Sequence, residues 1–309
     1  MTVTDTAATP HSELGAPLRR SLRGVGDFFR ELLSRPQSAV GTLLVLFFVA
    51  LAVLGPWLAP YTENDQNHPV AAAPSAEYPF GTDHLGRDVF SRVILGARSI
   101  LVKAGVGTLI AVLFGTFLGL AIGYAGGLLD DVASRVIDAF LALPALLVAL
   151  VTLGIVRNLP LESGTFAAWL ANNSVLLVIA LVYVPIVARV VRGSTLDVKT
   201  REFVEAAKIR GEAPLYIMFR EILPSVIPAL VVEASLRFSY AIFLVASLGF
   251  LGVGARPPSP DWGLMVNENR RLYYLTPWAL VYPALAIAVL VVDVNLMSDG
   301  IRRIIQRGS

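Results

Sequence analysis

The residues best suited to chemistry stand close together at Asp83, His84, Arg87 and Asp88, within the stretch FGTDHLGRDVFSR. Carboxylates, an imidazole and a guanidinium could bind a metal ion or exchange protons. A single histidine beside two aspartates is a sparse ligand set, however, whereas aspartate commonly caps the first turn of a helix. The pattern therefore favours a hydrogen-bonded helix start over a metal or catalytic centre.

Glycines at 249, 252 and 254 have a spacing that occurs in dinucleotide-binding loops. Such a loop needs a preceding strand and a following helix with an acidic partner, and neither is predicted here. The chain also has no cysteine, no G-x-x-x-x-G-K-[ST], no H-E-x-x-H and no G-x-S-x-G. We therefore predict no catalytic, metal or cofactor site in this chain.

Glu233 and Arg237 lie four residues apart within an apolar run. This spacing puts both side chains on one face of a helix, where they can form an ion pair. An isolated charge in the bilayer is costly, so an intramembrane charge suggests a function or a partner. No ladder of acidic residues accompanies the pair, which favours structural pairing or a polar transport pathway over a proton relay.

The composition explains what surrounds these residues. Of the 309 residues, 55% are hydrophobic and 16% are charged, and the mean hydropathy is +0.68. Soluble domains contain roughly 25% charged residues, so this composition indicates an integral membrane protein. The net charge of +2 is small and dispersed, so nucleic acid is not a predicted partner.

Six apolar runs are each long enough to cross a bilayer, which predicts an all-α, polytopic fold with six transmembrane helices. The runs are 40–58, 100–124, 136–156, 175–191, 227–251 and 278–297. The second run contains several glycines, which allow close approach between membrane helices. These are Gly105, Gly107, Gly115, Gly119 and Gly123.

Lysine and arginine are more frequent in the segments that lie inside if the amino terminus is cytoplasmic. The sequence therefore predicts that both termini are cytoplasmic and that the first run is retained as an anchor. The predicted divisions, in order, are a partly disordered N-terminal segment, the first transmembrane helix with an external loop and interfacial helix, the core of the remaining transmembrane helices, and a cytoplasmic tail. They cover 1–37, 38–97, 98–303 and 304–309.

Residues 201–224, REFVEAAKIRGEAPLYIMFREILP, form a polar, helix-forming segment between two apolar runs. The pattern predicts two short helices joined by a turn at Gly211, with Pro224 preceding the next span. Such an elbow could fit a groove on a soluble partner. An ordinary amphipathic helix at the membrane interface is the alternative.

This segment resembles the EAA loop of the membrane subunits of bacterial ABC importers, which docks on the ATP-binding subunit. The matching residues are Glu205, Ala206, Ala207, Gly211, Leu223 and Pro224. Glu221 departs from the usual apolar residue, as is frequent in the dipeptide and oligopeptide branch. The resemblance implies that Glu205 contacts the ATPase, that Ala206 and Ala207 permit close approach, and that Gly211 supplies the turn.

A second stretch resembles the GTD-x-x-GRD-x-x-SR signature of the second permease subunit of dipeptide and oligopeptide importers. The matching residues are Gly81, Thr82, Asp83, Gly86, Arg87, Asp88, Ser91 and Arg92. From Asp88 onward the residue pattern predicts an amphipathic helix at the membrane interface. Segment 246–267 is similar to a third pattern of this branch, and its prolines with Trp262 suggest a stiff external loop and an interfacial aromatic anchor.

The resemblance implies a type I ABC importer permease of the MetI-like fold in the bacterial inner membrane. Its implied partners are a second permease subunit of the DppB or OppB type, two ATP-binding subunits of the DppD/DppF or OppD/OppF type that hold ATP and magnesium, and an extracytoplasmic binding protein. Implied substrates are dipeptides or oligopeptides, with a nickel chelate, glutathione or a sugar as alternatives. An ion-coupled secondary transporter would need an inverted repeat and intramembrane ion ligands, and neither is evident.

Overall fold

The computed structural model describes residues 26, 28, 30–158 and 166–308. In this part of the chain the structure is helical without a strand, and the only extended pairing is an isolated bridge between Thr82 and Asp88. The helices are α1 (Pro36–Leu58), α2 (Val89–Ala125), α3 (Gly127–Leu141), α4 (Ala145–Arg157), α5 (Phe166–Asn172), α6 (Ser174–Val198), α7 (Glu202–Ile209), α8 (Pro214–Phe250), α9 (Trp262–Asn269) and α10 (Pro277–Gly308). The predicted all-α fold is confirmed.

Five of these helices are long and apolar enough to cross a membrane, namely α1, α2, α6, α8 and α10. The predicted third span, 136–156, is not one straight helix. It is divided between α3 and α4, which are bent by 89° at residues 142–144. Pro144 explains the break, because proline lacks an N–H and disfavours helical geometry in the residue before it. The sixth span exists only if this bent pair is counted as one.

Helix α2 is longer than predicted. It runs for 37 residues, about 55 Å at 1.5 Å per residue, without interruption. The predicted interfacial helix after Asp88 is therefore wrong as a separate element, since it forms the first turns of α2. Val89 and Ala97 in these turns are fully buried, so they pack inside the protein instead of lying on a membrane surface.

Helices α2 and α6 form the most extensive helix packing in the described part of the chain, and glycines make it possible. Cβ atoms added at four glycines of α2 would lie 2.6–2.8 Å from atoms of α6, so larger side chains would force the helices apart. The pairs are Gly107 with Ile179, Gly115 with Val187, Gly119 with Ala188 and Gly123 with Thr195. This order shows that the two helices run parallel, and it confirms the predicted close approach.

The parallel arrangement places the two segments that are candidates for function at opposite ends of the bundle. Helix α2 begins beside the signature residues 81–92, and α6 ends beside α7. We call these the signature end and the EAA end of the bundle. Residues 304–308, predicted as part of a separate tail, continue α10. The disorder predicted for the first residues lies outside the described part of the chain.

Candidate functional site

The EAA end is built around a tight turn between α7 and α8. Gly211 has a φ of +79°, a left-handed conformation that glycine adopts without steric cost. The Gly211 N–H donates to Lys208 O at 3.0 Å and the Glu212 N–H donates to Ala207 O at 3.2 Å. These two bonds form the Schellman motif that commonly ends a helix. The turn therefore lies where the sequence predicts it.

The second helix of this elbow differs from the prediction. It is not short, because α8 starts at Pro214 and continues to Phe250, so Leu223 and Pro224 lie inside a helix and do not precede one. A π-helical turn at Ile217–Ile222 comes just before Pro224. The wider turn changes the hydrogen-bond register, which lets the helix continue past a residue that has no N–H. The elbow is thus rigidly joined to a membrane span.

The elbow presents different residues inward and outward. Val204 and Ala207 are fully buried and pack in one cluster with Ile217 and Ile222 of α8. Glu205, Ala206 and Gly211 are exposed. The expected role of Ala207 in approaching a partner is therefore wrong, since its side chain fills the base of the elbow. Ala206 alone of the two alanines lies on the outer surface.

The outer surface of the elbow also carries apolar side chains. Ile209 is 86% exposed, beside the turn at Gly211. Further exposed apolar residues flank it, namely Phe203, Leu215, Tyr216 and Phe219. A cluster of exposed apolar groups rimmed by charges is typical of a protein-binding surface. Arg210 supplies part of that rim, with Glu212 at 3.6 Å and Glu221 at 3.4 Å.

At the signature end, Asp83 and Arg87, which could have suggested a metal or catalytic site, belong to a buried hydrogen-bonded network. Asp83 Oδ1 accepts from the N–H groups of Leu85 and Arg87 at 2.9 Å each. Its Oδ2 accepts from Arg87 Nε at 2.7 Å, and Arg87 Nη2 donates to Glu268 Oε2 at 2.7 Å. Asp83 is 2% exposed and Arg87 1%, so these charges satisfy each other inside the protein.

Asp88 begins α2 as a helix cap, as the sequence predicts. Its Oδ2 accepts from the Ser91 N–H at 2.8 Å, and Ser91 Oγ accepts from the Tyr61 N–H at 3.1 Å. Arg92 is 1% exposed and donates to the carbonyl oxygens of Glu63, at 3.0 Å, and Ser259, at 3.3 Å. The signature therefore fastens two loops to the start of α2.

The remaining signature residues bring the chain close to α10. Gly81 has no room for a side chain, because a Cβ would lie 2.6 Å from Ala72 O and from Trp278 Nε1. Thr82 is fully buried, and its carbonyl accepts from Trp278 Nε1 at 2.8 Å. Gly86 lies in the adjoining turn with a φ of +74°.

Two contacts at this end were not predicted from sequence. Trp262, expected to be an interfacial anchor, is fully buried and donates from Nε1 to Val93 O at 2.9 Å. Glu268 was not identified, although it accepts hydrogen bonds from Arg87 and Arg92. Glu268 could have been found in the sequence as an acidic residue without an assigned partner, able to balance the charge of the two signature arginines.

Glu233 and Arg237 are brought together on α8, as their spacing predicts. Glu233 Oε1 lies 2.7 Å from Arg237 Nε, although neither atom has hydrogen-bond geometry, so this is a Coulombic contact. The Arg237 guanidinium lies 4.9 Å from the ring centre of Tyr240 and 5.7 Å from that of Tyr183. The aromatic rings stabilise the cation through cation–π interactions.

Family comparisons agree with this architecture. Residues 115–309 match the family of the binding-protein-dependent transport system inner membrane component. Residues 25–74 match the N-terminal transmembrane domain of oligopeptide transport permease C. The two matches together cover the first span, the end of α2 and the helices from α3 to α10, including the EAA end.

Similar proteins carry names that fit the same family. The dipeptide transport system permease protein DppC of Alkalihalophilus pseudofirmus is 35% identical over 278 residues, covering 89% of this chain and 87% of that protein. The DppC of Haemophilus influenzae is 37% identical over 270 residues, covering 85% and 88%. The glutathione transport system permease protein GsiD of Pectobacterium atrosepticum is 36% identical over 278 residues, covering 89% and 88%. The chain therefore belongs to the binding-protein-dependent transport system inner membrane components, the membrane permease subunits of ABC importers.

Proposed function

We propose that this permease imports dipeptides or oligopeptides, forming the translocation pathway with a second, related permease subunit. Support comes from the relatives named dipeptide permeases, which align over 85–89% of the chain. An extracytoplasmic binding protein delivers the peptide. Two ATP-binding subunits hold ATP and magnesium and supply the energy by hydrolysis.

The elbow of α7 and the start of α8 is the proposed docking surface for an ATP-binding subunit. The observation that carries this proposal is Ile209, which is 86% exposed at the tip of a rigid turn. A partner that covers Ile209 gains roughly 1.5–3 kcal/mol of hydrophobic stabilisation. Because α8 is continuous from Pro214 to Phe250, movement of the elbow would tilt a whole span and change access to the pathway.

This role requires the EAA end to be cytoplasmic, with both termini on the same side of the bacterial inner membrane. The excess of lysine and arginine in the corresponding segments supports that orientation. A cysteine introduced at Ala206 would report it directly, because the natural chain contains none. We expect an impermeant thiol reagent to label this cysteine only after the membrane is opened. Labelling in intact cells would contradict the orientation.

Glutathione is the second candidate substrate, because relatives named glutathione permeases are 36–37% identical to this chain. The test is uptake by the complete transporter, reconstituted in liposomes with its binding protein. We expect labelled dialanine to accumulate only when the ATP-binding subunits can hydrolyse ATP. Accumulation of glutathione but not dialanine would select the second candidate. Uptake driven by an ion gradient without ATP would contradict both.

A further inference from the structure

The signature end contains a cavity that the contacts described above do not fill. Its volume is about 410 Å³, within the roughly 300–1,000 Å³ of typical ligand pockets. It lies between α2, α4, α6 and the loop that follows α8. The residues that matter for its chemistry are Lys103, Arg157, Ser174, Arg256 and Ser259.

The described residues that line the cavity, together with the carboxylate that pairs with Lys103, carry a net positive charge. Lys103 is balanced, because its Nζ lies 3.1 Å from Asp261 Oδ2. Arg157 donates to the uncharged carbonyl of Gly252 at 3.1 Å. Over residues 30–158 and 166–308, no carboxylate lies within ion-pair distance of Arg157 or Arg256. Within the described residues, two exposed guanidinium groups at the cavity wall are thus left without a balancing charge.

We propose that this cavity binds the carboxylate of the imported peptide, with Arg157 and Arg256 as its cationic partners. A guanidinium presents paired N–H donors that match the two oxygens of a carboxylate. Ser174 and Ser259 also line the cavity, and in the described part of the chain their hydroxyls have no hydrogen-bond partner. They are available to the polar backbone of a peptide.

The inference rests on the proposed function, since it takes the substrate to be a peptide and the signature end to be outside. In that orientation the cavity lies on the side of the membrane on which a binding protein would release its cargo. Every linear peptide with a free carboxyl terminus carries the group that the cavity selects. The phosphate of an anionic lipid headgroup shares this anionic chemistry and is the competing source that a test must separate.

The test uses the complete assembly of both permease subunits and the ATP-binding subunits, in nanodiscs of zwitterionic phosphatidylcholine without the binding protein. L-alanyl-L-alanine and its carboxyl-terminal amide are titrated by equilibrium dialysis. We expect the free acid to bind at least about tenfold more tightly than the amide, as the loss of a hydrogen bond to a charged group implies. In the double variant Arg157→Gln/Arg256→Gln the preference should disappear.

Arg271→Gln is the matched control, because Arg271 is an exposed arginine at the same end but outside the cavity. It should keep the full preference for the free acid. Both mutated arginines are exposed, so an unchanged thermal unfolding midpoint is expected and would show that the double variant folds. Equal binding of acid and amide by the natural chain, or an unchanged preference in the double variant, would overturn the inference.

A further arm uses nanodiscs that contain phosphatidylglycerol. Dialanine binding that is abolished by this lipid would assign the cavity to a headgroup and overturn the inference. ATP-driven dialanine uptake by the natural chain separates the inference from the proposed function. Uptake without acid preference refutes only the cavity site, whereas acid preference without any uptake refutes the peptide-import function and, with it, the assignment of the cavity to an imported peptide.

Discussion

The signature network and the elbow place their charged residues in opposite environments: the network is buried and the elbow is exposed. At the signature end, Asp83, Arg87 and Arg92 are at most 2% exposed, and each is hydrogen-bonded to other groups of the same chain. At the EAA end, Arg210 and Glu205 lie on the surface beside an Ile209 that is 86% exposed. The signature network of Asp83, Arg87, Arg92 and Glu268 is thus completed by the chain itself, whereas the EAA end exposes the residues that we propose to contact a partner. Substitutions at the two ends should therefore affect different measurements.

The strongest test is to break the buried network with Asp83→Ala. Arg87 would lose one of its two carboxylate partners, each at 2.7 Å, while staying buried, and breaking such a pair typically costs about 3–5 kcal/mol. We expect a large fall in the thermal unfolding midpoint of the purified permease. Adding Arg87→Met should recover part of that loss, because no unpaired charge is then left buried. A midpoint that stays unchanged in Asp83→Ala would show that the signature end is not self-contained.

Gly211→Leu should act on function more than on stability. A Cβ at Gly211 would meet no atom within 4 Å, so the strain comes only from the positive φ and costs about 1–2 kcal/mol. We expect ATP hydrolysis to be uncoupled from uptake while membrane insertion is retained. Gly211→Asn is the control, since asparagine tolerates this conformation. Full uptake in Gly211→Leu would mean that the turn is not needed for coupling.

The Glu233 and Arg237 pair lies between the two ends and should show an intermediate effect. Glu233→Gln leaves Arg237 without its partner, and we expect a loss of about 1 kcal/mol in stability with reduced uptake, as for other polar contacts in membrane proteins. The double variant Glu233→Gln/Arg237→Gln should recover part of both. If transport and unfolding measurements show no recovery, the two residues act independently.

The smallest effect is expected for Arg210→Gln on the outer face of the elbow. Arg210 lies 3.4 Å from Glu221, but its side chain is 53% exposed, and exposed ion pairs typically contribute about 0–1 kcal/mol. The unfolding midpoint should therefore hardly change. A loss as large as that of Asp83→Ala would erase the distinction between the ends.

Local features of the fold were predictable from the sequence. The cap at Asp88 and the turn at Gly211 each depend on residues within a few positions of each other. The local sequence is therefore sufficient to predict both. Glu268 was not identified, and Trp262 was wrongly predicted at the membrane interface. Glu268 contacts Arg87 and Trp262 contacts Val93, and both contacts join residues far apart in sequence. An apolar residue that faces lipid looks the same in sequence as one that faces another helix. The continuity of α8 past Pro224 depended on a π-helical turn that no residue pattern announced.

The glycine contacts between α2 and α6 have a mechanical consequence. Because atoms of α6 lie directly against the glycine positions of α2 at four successive levels, rotation or sliding of either helix would bring the two helices into collision. The two helices should therefore move as one rigid body, which has the signature network at one end and the elbow that follows α6 at the other. A push on one end would reach the other, about 55 Å away along α2, without passing through a hinge.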